Sequence, residues 1–424
     1  MPMTRPLLLA PAVFIVGLII FLIGIQTPAH PYFDEVHYLP AARELLLPGH
    51  PTLNREQPPL AKALIGTGIA IFGDAPLGWR AMSALFGALT LALVYLWALA
   101  LFDDPAPSLF AATLTLADQF LYVQSRIATL DVFLAAFTTA ALAAFTATWR
   151  PGAPVRKLML GAAICLGLAT ACKWTGLFPA ALCVATVLIV AILKQWRARF
   201  DAPRPDDWFR PDLWSDMRPR DWFVCALAPA LVYAATFLPL ADWSIPDLLQ
   251  RQADMWHDQS TLSVADHPYA SRWTTWPLLI RPIWYLFEPI PDTPGAFQAI
   301  ICLGNPLIVW AALPAFLAAL AALLRARDRA AFVILAAYAA LYLAWALVPR
   351  GLGFLYYYFP AALTLGPALA FAFYRTPLRR APLLRWTYLA AAVACFAYFL
   401  PITSASMTVT LPTYARLMWL ETWR

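Results

Sequence analysis

The sequence predicts an all-α protein that crosses a membrane many times, and two features carry this prediction. Of its 424 residues, 62% are apolar and only 13% are charged, roughly half the charged share of a soluble domain. Apolar runs of about 20 residues also recur along the chain, and a helix of that length covers the ~30 Å hydrocarbon core of a bilayer. The net charge of +6 is therefore interpreted through the loops that hold the Lys and Arg residues, and not as affinity for nucleic acid.

Eleven apolar runs are predicted to be spanning helices. In chain order they cover residues 7–26, 77–101, 106–124, 128–148, 158–172, 175–194, 221–240, 297–324, 330–348, 352–374 and 384–402. The first is interpreted as an anchoring helix, because it is long for the apolar region of a signal peptide and lacks a small-residue cleavage site. Residues 59–73 form a shorter apolar run that ends at Gly73-Asp74, so they are expected to lie at the membrane interface.

Positive charge in the loops predicts the orientation. With a cytoplasmic N-terminus, 18 of the 30 Lys and Arg residues fall in inside loops, including the short basic segments 325–329 and 375–385. Eleven spans then place the C-terminus outside, together with two large loops, 27–76 and 241–296. The sequence thus predicts a multi-pass protein of the inner (plasma) membrane whose chemistry lies on the periplasmic side, where these two loops hold all five histidines.

Cysteine and histidine spacing predicts no cofactor and gives only a weak signal for a metal site, so metal dependence stays open. The six cysteines lie in or beside apolar runs and form no recognisable disulfide framework. His37, His257 and His267 lack the close spacing of metal ligands. The chain also has no Gly-rich phosphate loop or Walker-type motif, which argues against an ATP-driven pump.

Two adjacent acids, Asp34 and Glu35, follow the first predicted span. Adjacent residues of an extended segment point in opposite directions, so at most one of them faces a given substrate atom. One general base with one orienting acid fits this arrangement better than the paired carboxylates of a glycosidase, which flank a single bond. A solvated interfacial loop explains the same two residues without any chemistry.

Cations on the outer side are candidates for binding an anionic headgroup. Arg126 and Asp131 lie at the outer end of a predicted helix, where charge is costly and is therefore paired or functional. The guanidinium of Arg126 suits a phosphate, while a structural ion pair between helices is the alternative. Lys62 and Arg350 are further phosphate candidates, and Lys173 interrupts an apolar run. Snorkelling to lipid headgroups explains a lone lysine equally well.

Aromatic residues of the outer segments are candidate sugar-binding groups. The second outer loop carries His267, Tyr269, Trp273 and Trp276, and Tyr357 follows closely after Arg350. Aromatic rings stack on sugar rings, but Trp and Tyr are also frequent anchors at the bilayer interface.

Six runs of the chain together resemble the protein O-mannosyltransferase family. They are Phe33-Asp34-Glu35-Val36-His37-Tyr38, Gln57-Pro58-Pro59-Leu60-Ala61-Lys62, Ser125-Arg126-Ile127-Ala128-Thr129-Leu130-Asp131, Cys172-Lys173-Trp174-Thr175-Gly176, the stretch from Tyr269 to Pro277, and Gly304-Asn305-Pro306. They occur in the family's order and span most of the chain. One departure is Gln57, which stands where the family has histidine, so a role for that histidine does not carry over.

The resemblance implies a GT-C fold with about eleven transmembrane helices and interfacial helices in the first outer loop. Residues 1–424 would form one module, with a catalytic half over 1–240 that includes the outer loop 27–76. The second outer loop would cover 241–296, and a four-helix part 297–424. The second outer loop is too short for the β-trefoil MIR domain of eukaryotic members, so no MIR domain is expected.

The resemblance also implies a reaction, in which mannose moves from a polyprenyl monophosphate to Ser or Thr hydroxyls with inversion at the anomeric centre. Asp34 is then the expected catalytic base and Glu35 its partner, with Arg126, Lys62 and Arg350 as phosphate ligands. The expected supporting or sugar-binding residues are His37, Tyr38, Gln57, Asp131, Lys173, His267, Tyr269, Trp273, Trp276 and Tyr357.

The expected partners are the polyprenyl-phosphate-mannose donor, an exported protein acceptor, membrane lipids and the secretion translocon, with no nucleic acid among them. A related GT-C enzyme that glycosylates a lipid, as aminoarabinose transferases do on lipid A, or a surface polysaccharide is the main alternative. A transporter of polyprenyl-linked sugars is another. It would need two related halves and a polar pathway through the membrane, whereas the predicted spans are almost free of charge.

Overall fold

The computed structural model describes residues 4–47, 49, 52–200, 213–241, 244–261, 267–348 and 352–424. Its α-helices are, in chain order, α1 (Thr4–Leu7), α2 (Leu9–Leu22), α3 (Glu35–Glu44), α4 (Leu60–Phe72), α5 (Pro76–Phe102), α6 (Pro105–Leu116), α7 (Gln119–Gln124), α8 (Asp131–Ala147), α9 (Val155–Cys172), α10 (Leu177–Phe200), α11 (Pro219–Phe237), α12 (Ile245–Thr261), α13 (Pro306–Ala326), α14 (Arg329–Tyr342), α15 (Phe359–Ala362), α16 (Leu365–Arg375), α17 (Pro382–Phe399) and α18 (Leu411–Leu417). Three strands are described as well, β1 (Ile283–Pro289), β2 (Ala296–Cys302) and β3 (Val409–Thr410).

Each of the eleven predicted spans contains a helix, and the predicted all-α polytopic fold class is confirmed. Among the described residues, seven helices are long and apolar enough to cross a membrane, or eight if α15 and α16, bent by 44°, count as one span. The helices α2, α4 and α8 are apolar but shorter. The helices α3 and α4 lie in the first outer loop, where interfacial helices were expected.

Two predicted spans differ from the structure for identifiable reasons. The run 106–124 is divided into α6 and α7, because the side chain of Asp118 accepts a hydrogen bond from the N–H of Phe120 at 3.2 Å and starts a new helix. The run 297–324 begins as strand β2, and the helix starts only at Pro306. There Asn305 caps the first turn, and Pro306 occupies a position that needs no N–H donor.

The small antiparallel sheet has the order β1-β2-β3 and was not predicted. Its strands are rich in aromatic and β-branched residues, as in Ile283-Trp284-Tyr285-Leu286-Phe287. The turn between β1 and β2 contains Asp292 and Gly295, both with positive φ. Short apolar runs of this kind cannot be assigned to strand or helix by periodicity alone.

The two outer loops lie at one end of the helix bundle. His30 Nε2 is 3.2 Å from the Glu288 carboxylate, which joins the first outer loop to β1. The ring of Phe33 stacks on Tyr285 with centroids 3.9 Å apart. The C-terminal segment is at the same end, because Trp284 Nε1 donates to the carbonyl of Trp423 at 3.0 Å.

The helix α1 lies at the opposite end of the bundle. Tyr95, near the end of α5, donates its hydroxyl hydrogen to the carbonyl of Pro6 at 2.7 Å. Arg375 donates to the carbonyl of Phe102 at the same end, at 3.2 Å. Arg375 therefore lies at the end away from the large loops.

Candidate active site

Asp34 lies at the turn that connects the first outer segment to α3. The preceding residue, Phe33, has a φ of 49°, which directs the chain sharply into the helix. The Asp34 carboxylate does not cap α3 and is half-buried. Burial raises the pKa of Asp34 to about 6; Lys173 and His37 oppose this rise, and Asp131 adds to it. The carboxylate can therefore bind and release a proton near neutral pH.

Glu35 is fully buried and directed into the protein. Its two carboxylate oxygens accept hydrogen bonds from Arg80 Nε and Nη2, each at 2.8 Å. The backbone N–H of Ala128 donates to it at 2.9 Å, and that of Tyr32 at 3.3 Å. The two acids that the sequence places side by side thus have separate environments. Glu35 connects the start of α3 to α5 and to the chain before α8.

Sequence reasoning did not identify Arg80. This side chain is completely buried, and besides Glu35 it donates to the carbonyls of Ile25, Pro28 and His30 at 2.7–3.1 Å. Its guanidinium lies 4.9 Å from the centre of the Tyr32 ring. A signal was available, because Arg80 is the single charged residue of the predicted span 77–101.

Asp131 and Lys173 form a buried ion pair with a separation of 2.8 Å between Nζ and Oδ1. Asp131 is the first residue of α8, and Lys173 follows the last residue of α9, so the pair joins these two helices at their outer ends. The Lys173 ammonium is also 4.9 Å from the ring centre of Tyr357 and 5.5 Å from that of Tyr356. Asp131 is paired with Lys173, and not with Arg126.

Arg126 is buried among backbone carbonyls. It donates to the carbonyl of Phe21 at 2.9 Å, to that of Ile23, and to that of Ser404 at 3.5 Å. Its guanidinium lies over the ring of Tyr122 at 4.9 Å. Arg126 therefore holds the end of α2 and the C-terminal segment together through groups that a helix end leaves unpaired.

Lys62 is buried at the start of α4, where Nζ donates to the carbonyls of Asn54 and Gln57. Burial lowers the pKa of Lys62 to about 8, against the opposing effect of Glu56 and Glu44. It lines a cavity of about 470 Å³ that Lys173 does not line. Arg350, the third cation predicted to bind phosphate, lies outside the described residues.

Lys173 lies between two hollows, named here the outer crevice and the inner pocket. The outer crevice has a volume of about 1200 Å³, and the inner pocket about 310 Å³. Four residues line both of them, namely Lys173, Thr175, Phe178 and Trp345. Gln57 lines the outer crevice. The two hollows therefore adjoin at these four residues, and together they are called the cleft here.

The inner pocket is lined by aromatic and apolar side chains together with four polar ones, Asp131, Thr138, Lys173 and Thr175. The rings of Trp345 and Tyr357 stack at 4.8 Å with an angle of 3° between their planes. Asp131, Leu134 and Thr138 line one wall along α8. From Asp131 to Thr138, α8 rises about 10 Å at 1.5 Å per residue, so the pocket extends along the helix bundle away from the outer end.

The other predicted residues surround this cleft or support it. Tyr38 is buried, and burial together with Asp34 raises the pKa of its hydroxyl, whereas the side chain of His37 is exposed. Trp276 is buried and packs edge-on against Trp345 and Tyr357, so it is neither an exposed sugar platform nor a bilayer anchor.

Three further predicted residues of the second outer loop pack against neighbouring residues, namely His267, Tyr269 and Trp273. His267 Nδ1 accepts a hydrogen bond from the N–H of Tyr269 at 3.2 Å, and its ring is 4.8 Å from that of Phe354. The carbonyl of Trp273 accepts a hydrogen bond from the Tyr342 hydroxyl at 3.1 Å. His267 thus contacts Phe354, which precedes Tyr356 and Tyr357 in the chain.

The arrangement supports two chemical tasks. A half-buried carboxylate with a raised pKa can take a proton from a hydroxyl group. A buried ammonium in an aromatic cleft can hold an anionic headgroup on a long apolar chain. Within the described residues, no three His, Cys, Asp or Glu side chains come together as metal ligands.

Comparison with known proteins places these features in a family. The model for "Dolichyl-phosphate-mannose-protein mannosyltransferase" matches residues 75–239, and that for the "C-terminal four TMM region of protein-O-mannosyltransferase" matches 244–423. The polyprenol-phosphate-mannose–protein mannosyltransferase of Mycolicibacterium smegmatis is 30% identical over 93% of this chain and 88% of its own length.

Solved structures agree with this match in fold. The Saccharomyces cerevisiae protein O-mannosyltransferase Pmt1-Pmt2 complex bound to the sugar donor superimposes with a TM-score of 0.78 at 17% identity, over 99% of this chain and 93% of the yeast chain. ArnT from Cupriavidus metallidurans bound to undecaprenyl phosphate gives 0.63 at 18% identity, over 92% of this chain and 64% of that one. The family models and the mycobacterial relative together show that the chain belongs to the protein O-mannosyltransferase family.

Proposed function

We propose that this protein transfers mannose from a polyprenyl phosphate donor to Ser or Thr hydroxyls of a polypeptide, with inversion at the anomeric carbon. The observation that carries the proposal is the half-buried Asp34, whose pKa is affected by both members of the Lys173–Asp131 pair, together with the aromatic pocket that this pair lines. The family's relatives, by name, use a polyprenol-phosphate-mannose donor and a protein acceptor.

In the proposed reaction, Asp34 removes the proton of the acceptor hydroxyl as its oxygen attacks the anomeric carbon. A bond forms between this oxygen and the carbon, and the bond from the carbon to the phosphate oxygen breaks. Its electron pair leaves with the polyprenyl phosphate, and the proton stays on Asp34. General-base assistance of this kind contributes about 10²–10⁴ in rate.

The leaving phosphate needs a cation, and Lys173 is the best placed of those described. Arg126 and Lys62 donate to backbone carbonyls and do not line the cleft, whereas Lys173 lines the cleft while paired with Asp131. A fixed positive charge stabilises the charge that develops on the phosphate and requires no proton donor there. Glu35 acts in this scheme as a positioning residue, because it holds the start of α3 and thus the backbone of Asp34.

We further propose that the end of the bundle carrying Asp34 faces the extracytoplasmic side of the plasma membrane. The opposite end carries Arg150, Arg156 and Arg375, and positive charge favours the cytoplasm. An acceptor in this location is an exported protein that arrives unfolded, and the secretion translocon is the proposed source. Cysteine labelling by an impermeant reagent at Asp292→Cys in intact cells tests the orientation.

The transfer experiment uses purified protein in vesicles, polyprenyl-phosphate mannose and a Ser/Thr-rich peptide, with glycopeptide detected by mass spectrometry. We expect mannosylated peptide from the unsubstituted protein and none from Asp34→Asn, while Asp292→Asn, an exposed acid of the β1–β2 turn, retains transfer. Transfer only from glucose or aminoarabinose lipids would overturn the donor assignment. Normal turnover by Asp34→Asn would remove Asp34 from the base role.

A further inference from the structure

The helix α12 has three distinct faces, although most helices at a protein surface have two. Successive residues of an α-helix are about 100° apart around the axis. One face carries Leu248 and Met255, which are buried in a cluster with Phe237. A second face carries Ile245, Leu249 and Trp256, which are 55%, 63% and 67% exposed. The third face is polar; it carries Asp247, Gln250, Asp254, His257 and Asp258.

The position of α12 relative to the bundle explains why a third face is present. Arg251 donates to the carbonyl of Leu240, at the end of the spanning segment that contains α11, at 2.7 Å. Gln252 accepts a hydrogen bond from the hydroxyl of Tyr233, two turns before that end, at 2.5 Å. The middle of α12 therefore lies beside the last turns of a spanning helix, and not above them.

We infer that α12 lies in the outer leaflet of the bilayer, with the Ile245, Leu249 and Trp256 face in contact with lipid. In the outer leaflet, a helix beside the bundle contacts protein on one side, lipid acyl chains on its membrane side and water on its outer side. The buried face of α12 matches the protein, the exposed apolar face matches the acyl chains, and the polar face matches the water. Amphipathic helices in the interface bury such an apolar face by 5–10 Å, and tryptophan is enriched at that depth.

The lipid-facing side of α12 is continuous with the cleft. Trp256 also lines the outer crevice, where its ring lies 6.4 Å from that of Trp174. Gln259, in the last turn of α12, donates to the carbonyl of Glu56 at 2.9 Å and joins the helix to the first outer loop. The mouth of the crevice therefore opens at the lipid surface. Resting on the proposed function, the lipid donor enters from the leaflet beside Trp256.

Spin labelling tests the placement of α12 independently of activity. The full chain in vesicles of phosphatidylethanolamine and phosphatidylglycerol receives a nitroxide at Leu249→Cys or, as the matched control, at Gln250→Cys. We expect the label at 249 to collide with oxygen and to be shielded from a water-soluble nickel chelate, and the label at 250 to show the reverse. Labelled protein without either substitution supplies the background of the native cysteines.

Two results of this measurement overturn the inference. Equal access of nickel to both labels would place α12 in water. Shielding of the label at 249 from both reagents would mean that a protein, such as a second copy of the chain, covers this face.

Kinetics test the link between α12 and donor entry. For Leu249→Asn, we expect the KM for a long-chain donor to rise about tenfold at unchanged kcat, because a polar side chain on the lipid-facing side of α12 disturbs the surface along which the long chain enters. The KM for a short, water-soluble donor of two isoprene units stays the same. Gln250→Asn serves as the control. Equal KM changes for both donors would contradict entry beside α12, while failure of transfer from every donor by the unsubstituted protein would contradict the proposed function instead.

Discussion

At the scale of single residues, Asp34 and Glu35 show how neighbours in the sequence acquire different properties. Both carboxylate oxygens of Glu35 accept hydrogen bonds from Arg80 and from backbone N–H groups, so Glu35 forms a buried ion pair. Asp34 is half-buried and has no such partner among the residues that the structure describes, and burial raises its pKa to about 6. A general base with that pKa is mostly deprotonated at neutral pH and still basic enough to take a proton.

The pKa of Asp34 predicts the pH dependence of transfer. The base must be deprotonated, so kcat/KM should rise about tenfold per pH unit below pH 6 and level off above it. Asp131 raises the pKa of Asp34 by repulsion, and Asp131→Asn should therefore move the rising limb to lower pH. Initial rates between pH 4.5 and 8, with Asp292→Asn as the control, measure this. If the pH profile of Asp131→Asn rises at the same pH as that of the unsubstituted protein, Asp131 does not raise the pKa of Asp34.

Breaking the buried pair of Glu35 and Arg80 should be costly. Removing one partner leaves an uncompensated buried charge, a loss of about 3–5 kcal/mol in the free energy of unfolding. We expect Glu35→Gln and Arg80→Gln each to lower the unfolding temperature and the activity. The double variant should lose less than the sum of both, and additive losses in a double-mutant cycle would exclude the coupling.

The sequence identifies Asp34, Asp131 and Lys173 as chemistry-bearing, because charge near a membrane is rare and needs a reason. It does not show their partners. Arg126 was predicted to bind phosphate, but its donors point at backbone carbonyls, and such carbonyls are invisible in a sequence. The role of Arg126 toward phosphate therefore stays a prediction without support from this geometry.

At the scale of elements, Asn305 joins the start of α13 to α6, α7 and α17. Its side-chain amide donates to the carbonyl of Ala117 at 2.8 Å and to that of Ala392 at 2.9 Å. Its backbone N–H donates to Asp118 at 3.0 Å. The break between α6 and α7, the start of α13 and the middle of α17 thus meet at one buried residue.

Replacing Asn305 by alanine should weaken this joint. Two buried carbonyls lose their donors and the cap of α13 is lost, at about 1–3 kcal/mol for each unsatisfied group. We expect a lower unfolding temperature in detergent and normal behaviour for Gln250→Ala, an exposed amide. An unchanged unfolding temperature in Asn305→Ala would show that this joint does not hold the four helices together.

The sequence predicts where the structural elements lie better than it predicts whether each is a helix or a strand. Apolar runs located a helix in all eleven predicted spans, since hydrophobic length is set by the bilayer. The same signal failed at 297–302, where a short apolar run forms β2, because burial and not periodicity decides such runs. The kink at Asp118 was missed for a similar reason, as a single cap interrupts an otherwise continuous apolar run.

At the scale of the whole molecule, the C-terminal segment closes the outer end of the bundle. β3 pairs with β2, and the buried Trp423 donates to the carbonyl of Leu279 at 2.6 Å. The alternation of predicted spans had placed the C-terminus and both large loops on one side, and in the structure they contact one another. The sheet that joins them depends on pairing between distant segments, which a single sequence does not reveal.

Truncating Trp423 should loosen this closure without touching the cleft. We expect Trp423→Ala to cost about 3–5 kcal/mol of stability, as for large buried aromatic residues, and to leave the activity per folded molecule near normal. Trp419→Ala, which alters a more exposed indole, is the matched control. Thermal unfolding and transfer rates measure both. Equal unfolding temperatures for the two variants would mean that Trp423 contributes nothing to the closure.

The opposed environments of the two adjacent acids also mean that their order cannot be exchanged. A chain with Asp34→Glu and Glu35→Asp has the same amino-acid content and the same formal charge. Its shorter acid would nevertheless fall one methylene short of the guanidinium at position 80, and its longer acid would carry the proton-accepting oxygens away from their place beside Lys173. Such an isomer should be both less stable and inactive, although every measure of bulk composition would call the two proteins identical.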